Sequence, residues 1–204
     1  MIAIVDLGIG NVGSIHNMLE RIDTPSQITS DPRIVQSASK IILPGVGAFG
    51  QAMTRLRKLN LLEVMQERVL EERVPILGIC LGMQLLTRGS EEGGVEGLGW
   101  IAGEVVGFKA ESRANALKVP HMGWNTLHLA RTNKIFDPVL PRARYYFVHS
   151  YYVVCSDQAQ ILATTSYGVE FVSAVTHDNI VGTQFHPEKS HRYGVHLLRN
   201  FATS

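Results

Sequence analysis

Two cysteines in 204 residues, Cys80 and Cys155, are too few for a disulfide framework in a chain of this length. The expected compartment is therefore reducing, the cytoplasm, where a free thiol survives. Charge excess is missing too: 19 Lys and Arg face 18 Asp and Glu, for a net charge of +1. That balance gives no electrostatic attraction to nucleic acid or to an anionic membrane. The densest basic cluster, Arg55, Arg57 and Lys58, reads as the solvated face of a helix. No apolar run approaches the roughly 20 residues of a membrane span. The opening MIAIVDLGIG has neither the charged start nor the cleavage region of a signal peptide. Repeats, low-complexity stretches and long linkers are lacking, so residues 1–204 are expected to form a single domain.

The first half alternates short apolar runs with helical patterns. Residues 2–5 read as a strand, followed by a glycine-rich turn and a helix near 14–21. IILPG, 41–45, is a second buried strand, and helices are expected around 49–59 and 61–72. VPILGI, 74–79, has almost no polar residue, as in a strand covered on both faces. The second half is richer in β signals: GWIAGEVVGF, RYYFVHSYYVV, QILATTS, FVSAVTHD and IVGTQFH, with a closing helix near 192–201. The fold class is α/β, a mostly parallel central sheet flanked by helices and carrying an antiparallel β extension.

The stretch GICLGMQLL, 78–86, places Cys80 between Gly78 and Gly82 where a strand gives way to a helix over 81–88. That is the layout of a nucleophile elbow, G-x-S-x-G with cysteine in place of serine. The glycines answer a steric demand, since the helix must pack closely on the strand beside a strained residue. At a helix start, free N–H groups and the helix dipole favour a thiolate. The bland alternative is burial, because free cysteine is among the most buried residue types. Cys155, in YYVVCSD, reads as strand core.

A cysteine nucleophile needs a base and a group to orient it. In TQFHPEKS, 183–190, His186 and Glu188 fall on the same side of an extended chain, with Pro187 between them. The carboxylate would then fix the imidazole tautomer and leave the other nitrogen for a thiol. His16, His128, His177 and His196 read as surface or satisfied core residues. His191 has poor spacing for a metal shared with His186, and neither metal nor cofactor is expected.

One motif points elsewhere. Gly8, Gly10 and Gly13 form G-x-G-x-x-G after a strand, with Asp31 about 20 residues on, as in a nicotinamide-dinucleotide-binding oxidoreductase. That reading leaves the cysteine elbow and H-P-E unexplained, and the chain has no room for a substrate domain. A catalytically inactive binding module on the same fold is a further alternative.

DLGIGNVGSI, LPGVGAFG, GICLGMQLL, PHMGWN, YYFVHSYY and GTQFHPEKS together resemble the class I, triad-type glutamine amidotransferases. The likeness is strongest to their branch of imidazole glycerol phosphate synthase glutaminase subunits. The resemblance implies that Cys80, His186 and Glu188 hydrolyse L-glutamine to glutamate and ammonia through a thioester. It maps the glutamine pocket onto Gly47, Gln84, Glu92, His149, Ser150 and Tyr151. It also implies a separate (β/α)₈-barrel cyclase subunit that uses the ammonia in histidine biosynthesis. Asn11, Trp124 and Lys189 are candidates to face that partner; solvated or packing roles are their simpler alternatives. The oxyanion hole would take the Leu81 N–H and a second backbone donor at Val46 or Gly47. Pro44-Gly45-Val46-Gly47 replaces the double glycine of many relatives. Turning a peptide plane is costly at a β-branched residue, so the free subunit is expected to be nearly idle until its partner docks.

Overall fold

In the computed structural model, which describes residues 1–108, 118–136 and 140–204, the first half follows the expected alternation. Strand β1 (Ile2–Val5) leads to helix α1 (Val12–Glu20), β2 (Ser26–Thr29), α2 (Pro32–Ser37) and β3 (Lys40–Gly45). Helices α3 (Phe49–Lys58) and α4 (Leu61–Gln66) follow, then β4 (Ile76–Cys80) and the short α5 (Leu81–Leu85). The helix expected over 61–72 changes to a π-helical turn at Glu67–Glu71, and the one expected over 81–88 stops at Leu85.

The remaining strands are β5 (Gly89–Ser90), β6 (Val95–Glu96), β7 (Gly103–Gly107), β8 (His121–Asn125) and β9 (His128–Leu129). They continue with β10 (Tyr145–His149), β11 (Tyr151–Cys155), β12 (Ile161–Tyr167), β13 (Val169–His177) and β14 (Ile180–Thr183). Helix α6 (His191–Thr203) closes the chain. A sheet of 12 strands runs β2-β1-β3-β4-β14-β13-β11-β7-β5-β6, with β12 and β9 branching from β13. Pairings from β2 to β14 are parallel, and those of β14, β11 and β12 with β13 are antiparallel. The expected parallel core with an antiparallel extension is what forms.

Side chains of β1, β3 and β4 alternate between two apolar layers. Ala3, Val5, Ile41, Leu43 and Ile76 meet α2, α3, α4 and α5 through Val35, Phe49, Met53, Leu61 and Leu81. Ile2, Ile4, Ile42, Leu77 and Ile79 meet α1 and α6 through Ile15, Leu19, Leu197 and Phe201. A strand coated on both sides reads as an unbroken apolar run, which is why these strands were visible in sequence.

The β-rich run 144–154 is divided. β11 joins the large sheet, whereas β10 pairs antiparallel with β8 in a separate two-stranded ribbon. One bridge stitches the ribbon to the segment just after β14, where the His186 N–H donates to the Tyr146 carbonyl at 2.9 Å. Asp31 is not placed as a ribose acceptor. Its Oδ1 accepts the Arg33 N–H at 2.9 Å to cap α2, and its carboxylate pairs with the Arg33 side chain at 2.7 Å. No helix among the described residues is long and apolar enough to cross a membrane.

Candidate active site

Cys80 is the last residue of β4, and its backbone sits at φ 54° and ψ −108° immediately before α5. A positive φ at a residue with a β-carbon is strained, and strain of this kind gathers at functional sites. The two glycines explain how the turn closes. A β-carbon on Gly78 would lie 2.8 Å from the Gly82 carbonyl oxygen and the Met83 nitrogen, and one on Gly82 would collide with the Leu43 carbonyl. Helix α5 thus rests directly on β3 and β4, and the sulfur is lifted at the carboxyl end of the sheet. Cys155 is buried, and burial, with the Asp157 charge, pushes its thiol up to about 11 from 9.0. That agrees with a core role.

The parallel register sets Thr183 of β14 beside Ile79 of β4, so the residues after Thr183 arrive next to the elbow. His186 Nδ1 and Glu188 Oε1 are 2.7 Å apart, with 2% and 3% of their side chains exposed. The expected partnership holds, but the route differs. Pro187–Lys189 is a 3₁₀ turn rather than extended chain, and that turn swings the carboxylate back under the ring. Among the described residues Nε2 has no hydrogen-bond partner, so it is the nitrogen left for proton exchange. Burial disfavours the charged ring, but the nearby Cys80 thiolate and then Glu188 outweigh it and raise His186 from 6.5 to about 10. A cation is therefore favoured beside the sulfur whenever the sulfur is ionised.

A cleft of about 490 Å³ opens over Cys80. Val46, Gly47, Leu81, Gln84, Glu92, His149, Ser150, Tyr151 and Lys189 all line it. Pro120 and Val148 line it as well and were not foreseen. Val46 is 40% exposed, so it is not a packing residue under the helix. Gly47 follows at φ 101°, a conformation suited to glycine. Glu92 reaches in from a loop, its Oε2 accepting the Phe49 N–H at 2.9 Å.

His149 faces the cleft but keeps its nitrogens inside the protein. Nδ1 lies 2.8 Å from the Tyr151 carbonyl, and Nε2 lies 3.0 Å from Nδ1 of His121. Burial lowers His149 from 6.5 to about 3, with the Tyr151 carbonyl opposing and His121 and His186 adding to the fall. Burial likewise lowers His121 to about 4. The two neutral rings brace the wall, and His121 is stacked between Phe147 and Tyr167 at 4.8 and 3.9 Å. Two polar residues escaped the sequence reading, His121 and Gln184. His121 lies inside PHMGWN and Gln184 inside GTQFHPEKS, yet nothing local singles out either side chain.

A strained thiol, a carboxylate-oriented imidazole and an open cleft form a set able to attack a carbonyl carbon and protonate its leaving group. The sequence pattern of the glutamine amidotransferase class-I family matches residues 3–204. The chain belongs to that family. It is 52% identical over 201 residues, 98% of each chain, to imidazole glycerol phosphate synthase subunit HisH 2 of Methanococcus maripaludis. A protein of the same name from Pseudomonas aeruginosa is 45% identical over 201 residues, again 98% of both. Subunit HisH of Leptospira interrogans is 43% identical over 203 residues, 100% of both. In fold it matches a solved glutamine amidotransferase at TM-score 0.72 and 15% identity, covering 100% of this chain and 99% of the other. The amidotransferase of Thermotoga maritima gives 0.65 at 17% identity, covering 94% and 77%.

In this amidotransferase, Trp124 and Asn11 sit outside the cleft, and Lys189 lines it. Trp124 is 41% exposed on β8 and stacks on His191 at 5.3 Å. Lys189 Nζ lies 5.8 Å from the centre of the Tyr146 ring, the residue opposite Trp124 in the ribbon. Asn11 is exposed just before α1 and makes no side-chain cap.

Proposed function

We propose that this chain is the glutamine-hydrolysing subunit of an imidazole glycerol phosphate synthase, acting in histidine biosynthesis. The observation that carries the reading is Cys80 held at positive φ beside a buried imidazole whose Nε2 is unpartnered among the described residues. Residues 1–204 act as one amidotransferase unit, and the expected compartment is the cytoplasm.

The Cys80 sulfur anion attacks the side-chain amide carbon of L-glutamine, breaking the C=O π bond and placing negative charge on oxygen. The Leu81 N–H and a peptide N–H at Val46 or Gly47 receive that oxyanion; one such donor is typically worth about 3–4 kcal/mol. His186, protonated at Nε2, gives its proton to the amide nitrogen as the C–N bond breaks, releasing ammonia and leaving a γ-glutamyl thioester. It then takes a proton from water, which attacks the thioester carbon. The C–S bond breaks to give glutamate and the sulfur anion, and Glu188 holds the ring in place throughout. Gly47, Gln84, Glu92, His149, Ser150 and Tyr151 shape the glutamine site.

The partner is a separately encoded (β/α)₈-barrel cyclase, which takes up the ammonia at the face bearing Asn11, Trp124 and Lys189. Its docking sets the Val46–Gly47 peptide in the donating orientation, so the free chain is nearly idle. Glutamate release is measured with the chain alone, with a barrel cyclase, and with cyclase plus its nucleotide substrate. The rate is expected to rise at each step and to vanish with Cys80→Ala. Equal rates in all three mixtures sink the activation model. Undiminished glutamate from the Cys80→Ala complex sinks the chemistry.

A further inference from the structure

Gln184 follows β14 directly and is completely buried, yet neither the triad nor the glutamine pocket assigns it work. Its Nε2 lies 3.6 Å from Cys80 Sγ, within reach of an N–H···S bond. Which end of this amide meets the sulfur is determined elsewhere. Gln84 Nε2 lies 3.0 Å from the Tyr151 carbonyl oxygen and 3.0 Å from Gln184 Oε1. A main-chain carbonyl can only accept, so it demands the nitrogen end of Gln84. That nitrogen has both protons engaged and accepts nothing, so it demands the oxygen end of Gln184. The N–H end of Gln184 is then left for the sulfur. Flipping either amide in this dry setting would set two donors or two acceptors against each other.

The sulfur has a second neighbour of the opposite character. The Val148 carbonyl lies 3.9 Å away and can only accept, which suits a neutral S–H. An anionic sulfur loses that contact and strengthens the one from Gln184, because bonds to ionised acceptors are the stronger class.

Resting on the proposed nucleophilic role of Cys80, we infer that Gln184 is a catalytic residue that donates its side-chain N–H to the Cys80 sulfur anion. Gln84 is the positioning residue that fixes the direction of that donation. The donor serves the sulfur twice, before attack on glutamine and again when the thioester C–S bond breaks.

The test is the pH profile of Cys80 alkylation by iodoacetamide in the free chain, read by peptide mass so that Cys155 is separate. Gln184→Met keeps the length and removes the donor. It is expected to move the profile midpoint up by about one unit. In the assembled enzyme kcat/KM should fall about tenfold through kcat, with KM little changed. Gln184→Glu keeps the shape and sets an acceptor against the sulfur, so its midpoint should move further. Gln84→Met frees the Gln184 amide to turn and should move it less. A midpoint unchanged in both Gln184 variants, each melting as a folded protein, overturns the inference whatever the change in melting temperature. The nucleophile assignment is judged separately by glutamate release from Cys80→Ala.

Discussion

The two walls of the cleft are made in opposite ways. The elbow wall, from β3, β4, α5 and β14, belongs to the parallel sheet, and its geometry is set by backbone against backbone: Gly82 against the Leu43 carbonyl, Gly78 against the turn of α5. The facing wall, from β8, β10 and β11, is held by side chains: His121 between Phe147 and Tyr167, and His149 tied to His121 and to the Tyr151 carbonyl. One wall has no room for a β-carbon at Gly78 or Gly82. The other depends on rings staying neutral and packed.

The two walls differ most at Gly82. Gly82→Ala drives a β-carbon into the Leu43 carbonyl, and a loss of about 4 kcal/mol or more is expected, seen as failure to fold or a collapsed melting temperature. A native-like melt would show that α5 can lift off the strands, and the backbone account of this wall would fail. On the other wall, His121→Ala leaves a gap between two aromatic rings and strips His149 of its partner. A loss of about 3 kcal/mol in urea titration is expected, with a fold that still forms.

Acid separates the walls by chemistry. His121 and His149 are held below 6.5, at about 4 and about 3. The unfolded chain therefore binds more protons between those limits and 6.5, so the stability contribution is full above 6.5 and is lost as pH falls towards 4 and 3. The expected loss is roughly 2 kcal/mol per imidazole after allowing for screening. His121→Gln should flatten the acid slope of an unfolding-against-pH series; an unchanged slope would place the acid sensitivity elsewhere. The smallest effect lies far from either wall. Asp31→Ala removes the α2 cap, and a slight fall in melting temperature is expected with glutamate release unchanged.

What could be read from sequence follows the same division. The elbow was legible because its constraint is local: strand, Gly78, Cys80, Gly82, helix. The core strands were legible because two covered faces leave no polar residue. His186 and Glu188 were visible as a pair, but the 3₁₀ turn that joins them was not, since Pro187 is compatible with extended and turned chain alike. Strand β2, with the sequence SQIT, and helix α2 were missed because neither is strongly apolar, although Asp31-Pro32 is a cap followed by a first-turn proline. Gln184 and His121 could not be found at all. Their roles arise only when Tyr151, Gln84 and His149, all distant along the chain, converge on them.

The single bridge between Tyr146 and His186 has a mechanical meaning. His186, the proposed general base, is anchored through its own amide to the small ribbon, while the Cys80 sulfur rides on the large sheet. Trp124 sits directly across the ribbon from Tyr146 and projects into solvent. The strand of Tyr146 also carries the Val148 carbonyl, 3.9 Å from the Cys80 sulfur, so the ribbon touches both the imidazole's backbone and the thiol.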